Sequence, residues 1–377
     1  MMGKQVFSSY MREALYGADG YYTKDAIRFG KMGDFYTSAQ VSPLFGYLFA
    51  TYVADQHDAS KDVVVTEIGC GDGGFALPFL YHLLTQPSLQ NHRIRYLAID
   101  RSSVALSRTK EKIERGLREL DEHTRQRLSL FFHASVQDLP QDVVNAFQGT
   151  VVMANEWLDA LPVEILRLVS RDKLEQVVVG SIDESTDHPL YASSTKQAAW
   201  FEETTDPLFV AYRDRYISPW FEEIQFPVIV EAQTEIKPSL ALLVQKLAPA
   251  HFILIDYGGY TIDLLSSDRP KGTLRAYRAH QLVDDFLDQT GFVDLTYDVD
   301  FSVVTDVLQT YHYQVDRVTR QGAFLLRLPG LMASLENYAK YYKDGNLAIK
   351  QLMMGGLMGD RFMVVTASKS EELQNGL

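Results

Sequence analysis

The run Glu67-Ile68-Gly69-Cys70-Gly71-Asp72-Gly73-Gly74 follows directly on the apolar stretch Asp62-Val63-Val64-Val65-Thr66. An apolar strand that ends in an acid and enters a glycine-rich turn is how an open α/β sheet presents a nucleotide-type cofactor at its carboxyl edge. Gly69, Gly71 and Gly74 spell G-x-G-x-x-G, the spacing of a dinucleotide-binding turn, whose pyrophosphate would rest on the backbone N–H groups where the next helix starts. Asp72 stands among those positions and would repel phosphate. S-adenosylmethionine carries no phosphate but a sulfonium and an ammonium, so the acids Glu67 and Asp72 would favour it. The charge points to the methyl donor, while a dinucleotide and a structural turn without ligand remain open at this point.

Asp100 lies thirty-one residues after Gly69 at a predicted strand end, where a carboxylate can accept both ribose hydroxyls of an adenosine. That role serves either cofactor, and a solvated strand-end acid is the plain alternative. Asp138, after a third strand, could accept the adenine amino group's hydrogen bond or could cap a helix. The string Asn155-Glu156-Trp157-Leu158-Asp159-Ala160-Leu161-Pro162 follows a fourth strand. Two acids and an amide just past a strand end are more polarity than core packing asks for, and carboxylates there could hold a cationic acceptor such as a guanidinium by paired hydrogen bonds. Acids capping a following helix would look the same.

These residues need a sheet to gather them. Alternation of apolar strands and helical spacing predicts parallel strands at Val63–Ile68, Ile94–Asp100, Leu128–His133 and Val151–Ala154. The helix after Asp100 is capped by Ser102 or Ser103 and spaces Leu106, Ile113, Leu117 and Leu120 along one face. Glu67, Asp100, Asp138 and Asn155 all then fall at or just past the carboxyl ends. Val163–Val169 and Leu174–Ser181, around Arg171-Asp172-Lys173, read as a hairpin. The aromatic-rich stretch from Gln197 to Pro227 reads as a helical lid on the core, and the sheet resumes with His251–Tyr257, again ending near an acid, Asp256. The fold class is α/β, a doubly wound Rossmann-like sheet with an added smaller α+β lobe. Its divisions are 1–60, an N-terminal segment; 61–170, the first part of the core; 171–235, an inserted hairpin and aromatic helical lobe; and 236–377, the second part of the core with additions.

The 377 residues exceed one ordinary domain, which suits a core with a second lobe. With 36 basic against 49 acidic residues the net charge is −13, which argues against a general nucleic-acid or anionic-membrane binder. Cys70 is the sole cysteine, so no intrachain disulfide and no multi-cysteine metal site can form; in its tight turn it reads as a small tolerated residue rather than a reactive thiol. The nine histidines show no ligand spacing, and no metal is expected. The first twenty-two residues lack the character of a secretory or organellar leader and no stretch is apolar enough to span a bilayer, so a cytoplasmic protein is expected.

Taken together, the motifs resemble one family, the MidA-type S-adenosylmethionine-dependent methyltransferases, relatives of the mitochondrial complex I assembly factor that methylates a protein arginine. The resemblance runs over nearly the whole chain: Gly20-Tyr21-Tyr22, Gly33-Asp34-Phe35-Tyr36-Thr37-Ser38 leading to Phe45-Gly46, Glu67-Ile68-Gly69-Cys70-Gly71, the Asn155–Pro162 string, Asp256-Tyr257-Gly258, Gly272-Thr273-Leu274-Arg275 and Asp298-Val299-Asp300-Phe301. The chain departs from the family at Tyr297-Asp298, where a smaller residue and a histidine are more usual. Read alone, Gly33–Ser38 is a turn and helix cap before Val41–Tyr52; the resemblance implies that this loop, with Gly33, Asp34, Thr37 and Ser38, folds over the cofactor.

The resemblance implies a class I methyltransferase using S-adenosylmethionine, with a protein carrying a basic acceptor residue as partner. In that reading Glu67, Gly69, Gly71 and Asp72 hold the methionine end, Asp100 the ribose and Asp138 the adenine edge, while Asn155, Glu156 and Asp159 orient the acceptor. A cofactor-binding assembly factor without catalysis and a nicotinamide-dependent oxidoreductase are the alternatives.

Overall fold

The computed structural model describes residues 4–23, 38–58, 60–181, 189–194, 197–266, 268–279, 281–341 and 345–369. Its centre is an eight-stranded sheet. Seven strands, numbered here along the chain, form its continuous path: β1 Val63–Ile68, β2 Ile94–Ile99, β3 Leu128–His133, β4 Val151–Asn155, β5 His251–Gly259, β6 Tyr313–Arg320 and β7 Phe362–Lys369. Their order across the sheet is β6-β7-β5-β4-β1-β2-β3, with β7 antiparallel to both neighbours and the pairs from β5 to β3 parallel. The short strand Val299–Asp300 extends the end of β5 in parallel. Chain order reverses between β1 and β4, the switch point at which doubly wound sheets open a crevice beyond their carboxyl ends.

Apolar residues of these strands divide between two cores. Val63, Val65, Ile94, Tyr96 and Ala98 face one, and Ile68, Leu97 and Ile99 face the other. Strand geometry requires this alternation, and helices on both faces explain why neither set is polar. Of the main helices, numbered here, α1 is Phe7–Tyr16, α2 Leu44–Gln56, α3 Ala76–Thr85, α4 Ser103–Gly116, α5 Gln141–Ala146, α6 Ile236–Leu247 and α7 Phe301–Thr310. Helices α2, α3 and α4 cover the first face; α1, α5, α6 and α7 pack into the core of the second. Each fully buried Leu, Ile or Phe among them contributes roughly 1.5–3 kcal/mol. Gly46 brings α2 against the start of α3, because a Cβ there would lie 2.8 Å from the carbonyl oxygen of Phe75.

The expected strands match those observed to within a residue except that His251–Tyr257 runs on to Gly259, and Ser102 caps α4 by accepting from the Ala105 N–H. The expected hairpin is present as Glu164–Leu168 paired antiparallel with Leu174–Ser181. It belongs to a second, wholly antiparallel sheet of six strands, in the order Val228–Ala232, Glu164–Leu168, Leu174–Ser181, Gln197–Glu203, Tyr191–Ala192, with Gln5–Val6 also on Leu174–Ser181.

The helical lid expected over Gln197–Pro227 is corrected at its start. Gln197–Glu203 is a strand on Leu174–Ser181, with Trp200 opposite Val178. Aromatic residues suit a half-buried strand as well as a helix face, and an unpaired edge on Leu174–Ser181 decides between them. Helical turns begin only at Pro207–Tyr212, capped by Asp206. The helix expected over Val41–Tyr52 starts later, at Leu44 after Pro43, and runs on to Gln56. Among the described residues no helix is long and apolar enough to cross a membrane.

Candidate active site

Strand β1 delivers Glu67, buried at its end, into a turn that no chain of L-residues without glycine would follow: Gly69, Gly71 and Gly73 have φ of 72°, 54° and 76°. The N–H groups of the turn's four glycines are already used. Gly69 donates to the Ile99 carbonyl at 2.8 Å, Gly71 to Asp100 Oδ2 at 3.0 Å, Gly73 to the Cys70 carbonyl at 3.1 Å and Gly74 to Asp72 Oδ1 at 3.1 Å. Asp100 also accepts the Ser102 N–H at 2.9 Å, so one carboxylate ties the end of β2 to the glycine turn. Burial pushes the Asp100 carboxyl up to about 6, against the opposing pull of those two N–H groups. Burial pushes Glu67 further, to about 8, although the Tyr96 hydroxyl donates to it; Asp100 and Asp72 add to the rise.

The string after β4 is pinned from below. Asp256 Oδ2 accepts the N–H groups of Leu158 at 3.0 Å and Asp159 at 3.2 Å, and Tyr297 donates to the Leu158 carbonyl at 2.6 Å. Asp159 turns inward. Its carboxylate accepts from Thr296 Oγ1 at 2.7 Å and from the Tyr257 hydroxyl. Burial holds the carboxyls of Asp159 and Asp256 above their ordinary range, and Asp159 and Glu156 push Asp256 further. Glu156 sits at φ 55°, a conformation a glutamate adopts only under constraint, with its N–H on the Ile255 carbonyl at 2.9 Å. Asn155 Nδ2 donates to Glu156 Oε1 at 3.1 Å, and Asn155 Oδ1 is buried without a hydrogen-bond partner among the described residues.

The glycine turn and this string are two walls of one cavity of about 260 Å³. Glu67, Gly69, Gly71, Asp72, Asp100, Asn155 and Glu156 all line it. Asp159 does not, being buried beneath the string rather than on its face. Asp138 is also outside the lining: it is exposed on the turn after β3, and the preceding Ser135 and Val136 form the wall there. Ser38 starts the short helix Ser38–Val41, whose Ala39 reaches the cavity. Gly33, Asp34 and Thr37 lie outside the described residues. Cys70 also lines the cavity but is buried, and burial raises its thiol well above the ordinary range, which disfavours the thiolate.

Reading along the chain did not find the third wall. Arg12, Tyr16 and Tyr22 come to the cavity from the N-terminal segment and Glu235, Ser239 and Leu242 from α6. Tyr16 and Tyr22 stack with ring centroids 5.5 Å apart, and Tyr16 donates to the Ala160 carbonyl at 2.8 Å. Of these, only Tyr22, in Gly20-Tyr21-Tyr22, stood in a recognisable motif.

The donor set tests which cofactor fits. A pyrophosphate would need free N–H groups in the glycine turn, and four of them are engaged within the chain. A cationic methionine end would meet Glu67, Asp72 and Glu156, and an adenosine would meet Asp100 beside the apolar surfaces of Ile99, Val136 and Leu242. The residues fit S-adenosylmethionine. The repulsion expected from Asp72 is not the reason: Lys112 pairs with that carboxylate at 2.8 Å.

The sequence pattern of a family described as S-adenosyl-L-methionine-dependent methyltransferases matches residues 46–319, more than half of the chain. The chain belongs to this family. It is 25% identical over 343 residues to the Drosophila melanogaster homologue of the mitochondrial protein arginine methyltransferase NDUFAF7, covering 86% of this chain and 71% of the relative. The Xenopus laevis NDUFAF7 is likewise 25% identical, over 100% of this chain and 83% of its own length. A protein from Burkholderia thailandensis, crystallised bound to S-adenosyl-homocysteine, superposes with a TM-score of 0.76 over 97% of this chain and 88% of that one, at 23% identity. Its fold is shared. S-adenosylmethionine is accordingly the cofactor of this methyltransferase, and the nicotinamide alternative is set aside.

Proposed function

We propose that this methyltransferase transfers the methyl group to a nitrogen of an arginine in a protein substrate. The observation that carries the reading is Glu156, held at positive φ on the cavity wall next to Asn155 and opposite the glycine turn. When bound, S-adenosylmethionine supplies an electrophilic methyl on a sulfonium, open to in-line displacement by a nucleophile. Glu67, Gly69, Gly71 and Asp72 would hold its methionine end and Asp100 its ribose. Asn155 Oδ1 and the Glu156 carboxylate would accept the N–H groups of a guanidinium, whose planar fork suits two acceptors side by side. A guanidinium needs no strong base before transfer, since its proton can leave to Glu156 or water as the new N–C bond forms. The relatives named as protein arginine methyltransferases support this acceptor.

Asp159 takes a different part from the one its spacing suggests: from beneath the string it would position Asn155 and Glu156 rather than touch the acceptor. The six-stranded sheet would form the added lobe beside the class I core. Its strand Glu164–Leu168 begins two residues after Pro162, so the acceptor wall would run directly into the lobe. Incubating the protein with methyl-labelled cofactor and a cell extract, then locating the labelled residue, tests the reading. Label on arginine that disappears in Glu156→Gln, with S-adenosylhomocysteine affinity retained, is the expected result; label on another residue type overturns the acceptor. Tight cofactor binding with no labelled protein would instead support an assembly factor.

A further inference from the structure

Arg12 of α1 and Glu235 at the head of α6 meet at the rim of the cavity, Arg12 Nη2 lying 2.9 Å from Glu235 Oε1. A guanidinium thus already rests on a carboxylate that lines the same cavity as Asn155 and Glu156. The side chains are 47% and 31% exposed, and such a pair is worth at most about fivefold in an equilibrium constant, so it is poor glue for the fold. The backbones beneath are fixed by other means. Helix α1 buries Tyr10, Met11 and Leu15, and α6 buries Ile236 and Leu240 immediately after Glu235.

The surroundings suit a planar cation. The stacked rings of Tyr16 and Tyr22 line the same cavity, and a second guanidinium, that of Arg101, lies 4.9 Å from the Tyr16 ring centroid. Glu235 is the N-cap residue of α6, where an acid is favoured, yet its side chain makes no capping hydrogen bond and, among the described residues, pairs with Arg12 at the cavity.

We infer that Glu235 is a second acceptor-binding carboxylate, selecting a guanidinium together with Glu156, and that Arg12 occupies it until the substrate arginine displaces it. The inference rests on the arginine reading above. Exchange of one guanidinium for another on the same carboxylate is nearly neutral, so opening the site costs little, and Arg12, on a long side chain at the rim, can swing into solvent. A lysine ammonium would exchange less well, lacking the planar fork.

The test uses the full chain saturated with S-adenosylhomocysteine, with Nα-acetyl-L-arginine amide as probe and Nα-acetyl-L-lysine amide as control, followed by NMR titration. Arg12→Ala removes the competitor and should tighten the arginine probe about threefold, within the range of an exposed ion pair. Glu235→Gln in that background should weaken it about tenfold, the scale of a lost charge-assisted hydrogen bond, and narrow the gap to the lysine probe. S-adenosylhomocysteine affinity should stay within twofold in both. An Arg12→Ala protein that binds the arginine probe no better than the parent, or not at all, overturns the inference, as does a Glu235→Gln protein that binds it equally well. A tenfold loss of S-adenosylhomocysteine in Arg12→Ala would also overturn it, by making Arg12 a partner of the cofactor's carboxylate. If labelling finds methylated arginine while Glu235→Gln binds the probe as the parent does, the arginine reading stands and this inference alone falls.

Discussion

Lys112 Nζ lies 2.8 Å from Asp72 Oδ2, joining the middle of α4 to the glycine turn. The charge of that turn is thereby set by two residues forty positions apart. Asp72 remains on the cavity wall with its charge balanced by Lys112, and the engagement of four of the turn's N–H groups by Ile99, Cys70, Asp72 and Asp100 leaves those groups spent for a pyrophosphate.

Replacing Lys112 by methionine should therefore leave the cofactor class unchanged. The pair is partly exposed and its loss should cost less than about 1 kcal/mol of stability. The freed Asp72 carboxylate would favour the charged sulfonium, so the affinity ratio of S-adenosylmethionine to S-adenosylhomocysteine should rise roughly two- to threefold by calorimetry, as expected for a partly screened charge. Binding of NADH by Asp72→Asn, which leaves the Lys112 cation uncompensated while an amide oxygen can still accept the Gly74 N–H, would show that charge, not the spent N–H groups, governs the choice.

Asp256 should prove a positioning residue for the acceptor wall. Its carboxylate holds the N–H groups of Leu158, Asp159 and Tyr257, all within 3.2 Å and out of water. Asp256→Ala leaves those donors unpaired and should cost about 2–4 kcal/mol in urea unfolding. Asp256→Asn keeps an acceptor oxygen for one side of that set but turns its NH2 toward the donor on the other, so it should fall between the alanine variant and the parent, about 1–2 kcal/mol below the parent. Equal urea midpoints for the parent and the alanine variant would mean that the string is held elsewhere.

How far the site could be read along the chain follows from which contacts are local. Val63–Ile68 and its turn were legible because an apolar run, the acid near its end and four glycines sit within twelve residues. Asn155 and Glu156 were legible as a polar cluster at a strand end. Which acid of the string reaches the cavity was not, because Asp159 is drawn inward by Thr296 and Tyr257, more than ninety residues on. Arg12 and Glu235 were silent for the same reason: nothing in either neighbourhood announces the other. Gln197–Glu203 was misread because its aromatic residues fit two periodicities, and only the partner strand Leu174–Ser181 chooses between them.

Strain and space in the glycine turn can be separated by a pair of substitutions. Gly73 has φ 76°, and a Cβ there would come within 3.0 Å of the Thr109 Cα, a backbone atom of α4 that cannot easily give way. Gly149 has a similar φ of 70° with nothing within 4 Å. Alanine at Gly149 should cost the left-handed penalty alone, about 1–2 kcal/mol. Gly73→Ala should cost more and also weaken S-adenosylhomocysteine, since α4 and the turn share the Thr109 Oγ1 hydrogen bond to the Gly71 carbonyl. Thermal unfolding with and without ligand checks both, and equal losses for the two variants would remove Thr109 from the account.

Glu67 should make cofactor binding a proton-linked event. Burial raises its carboxyl to about 8 from an ordinary 4.5, so between those values the native protein holds a proton that the unfolded chain has lost. Its contribution to stability is therefore complete below about 4.5 and declines as pH rises toward 8. Asp100, raised only to about 6, is mostly ionised at pH 7 and adds little there. An incoming methionine ammonium reverses the balance at Glu67 by favouring the carboxylate, which drives its proton into solvent. Titrating S-adenosylhomocysteine at pH 7 in buffers of different ionisation heat should register release of a large fraction of one proton in the parent and close to none in Glu67→Gln. The same proton count in both would place the ammonium away from Glu67, and with it the methionine end of the cofactor.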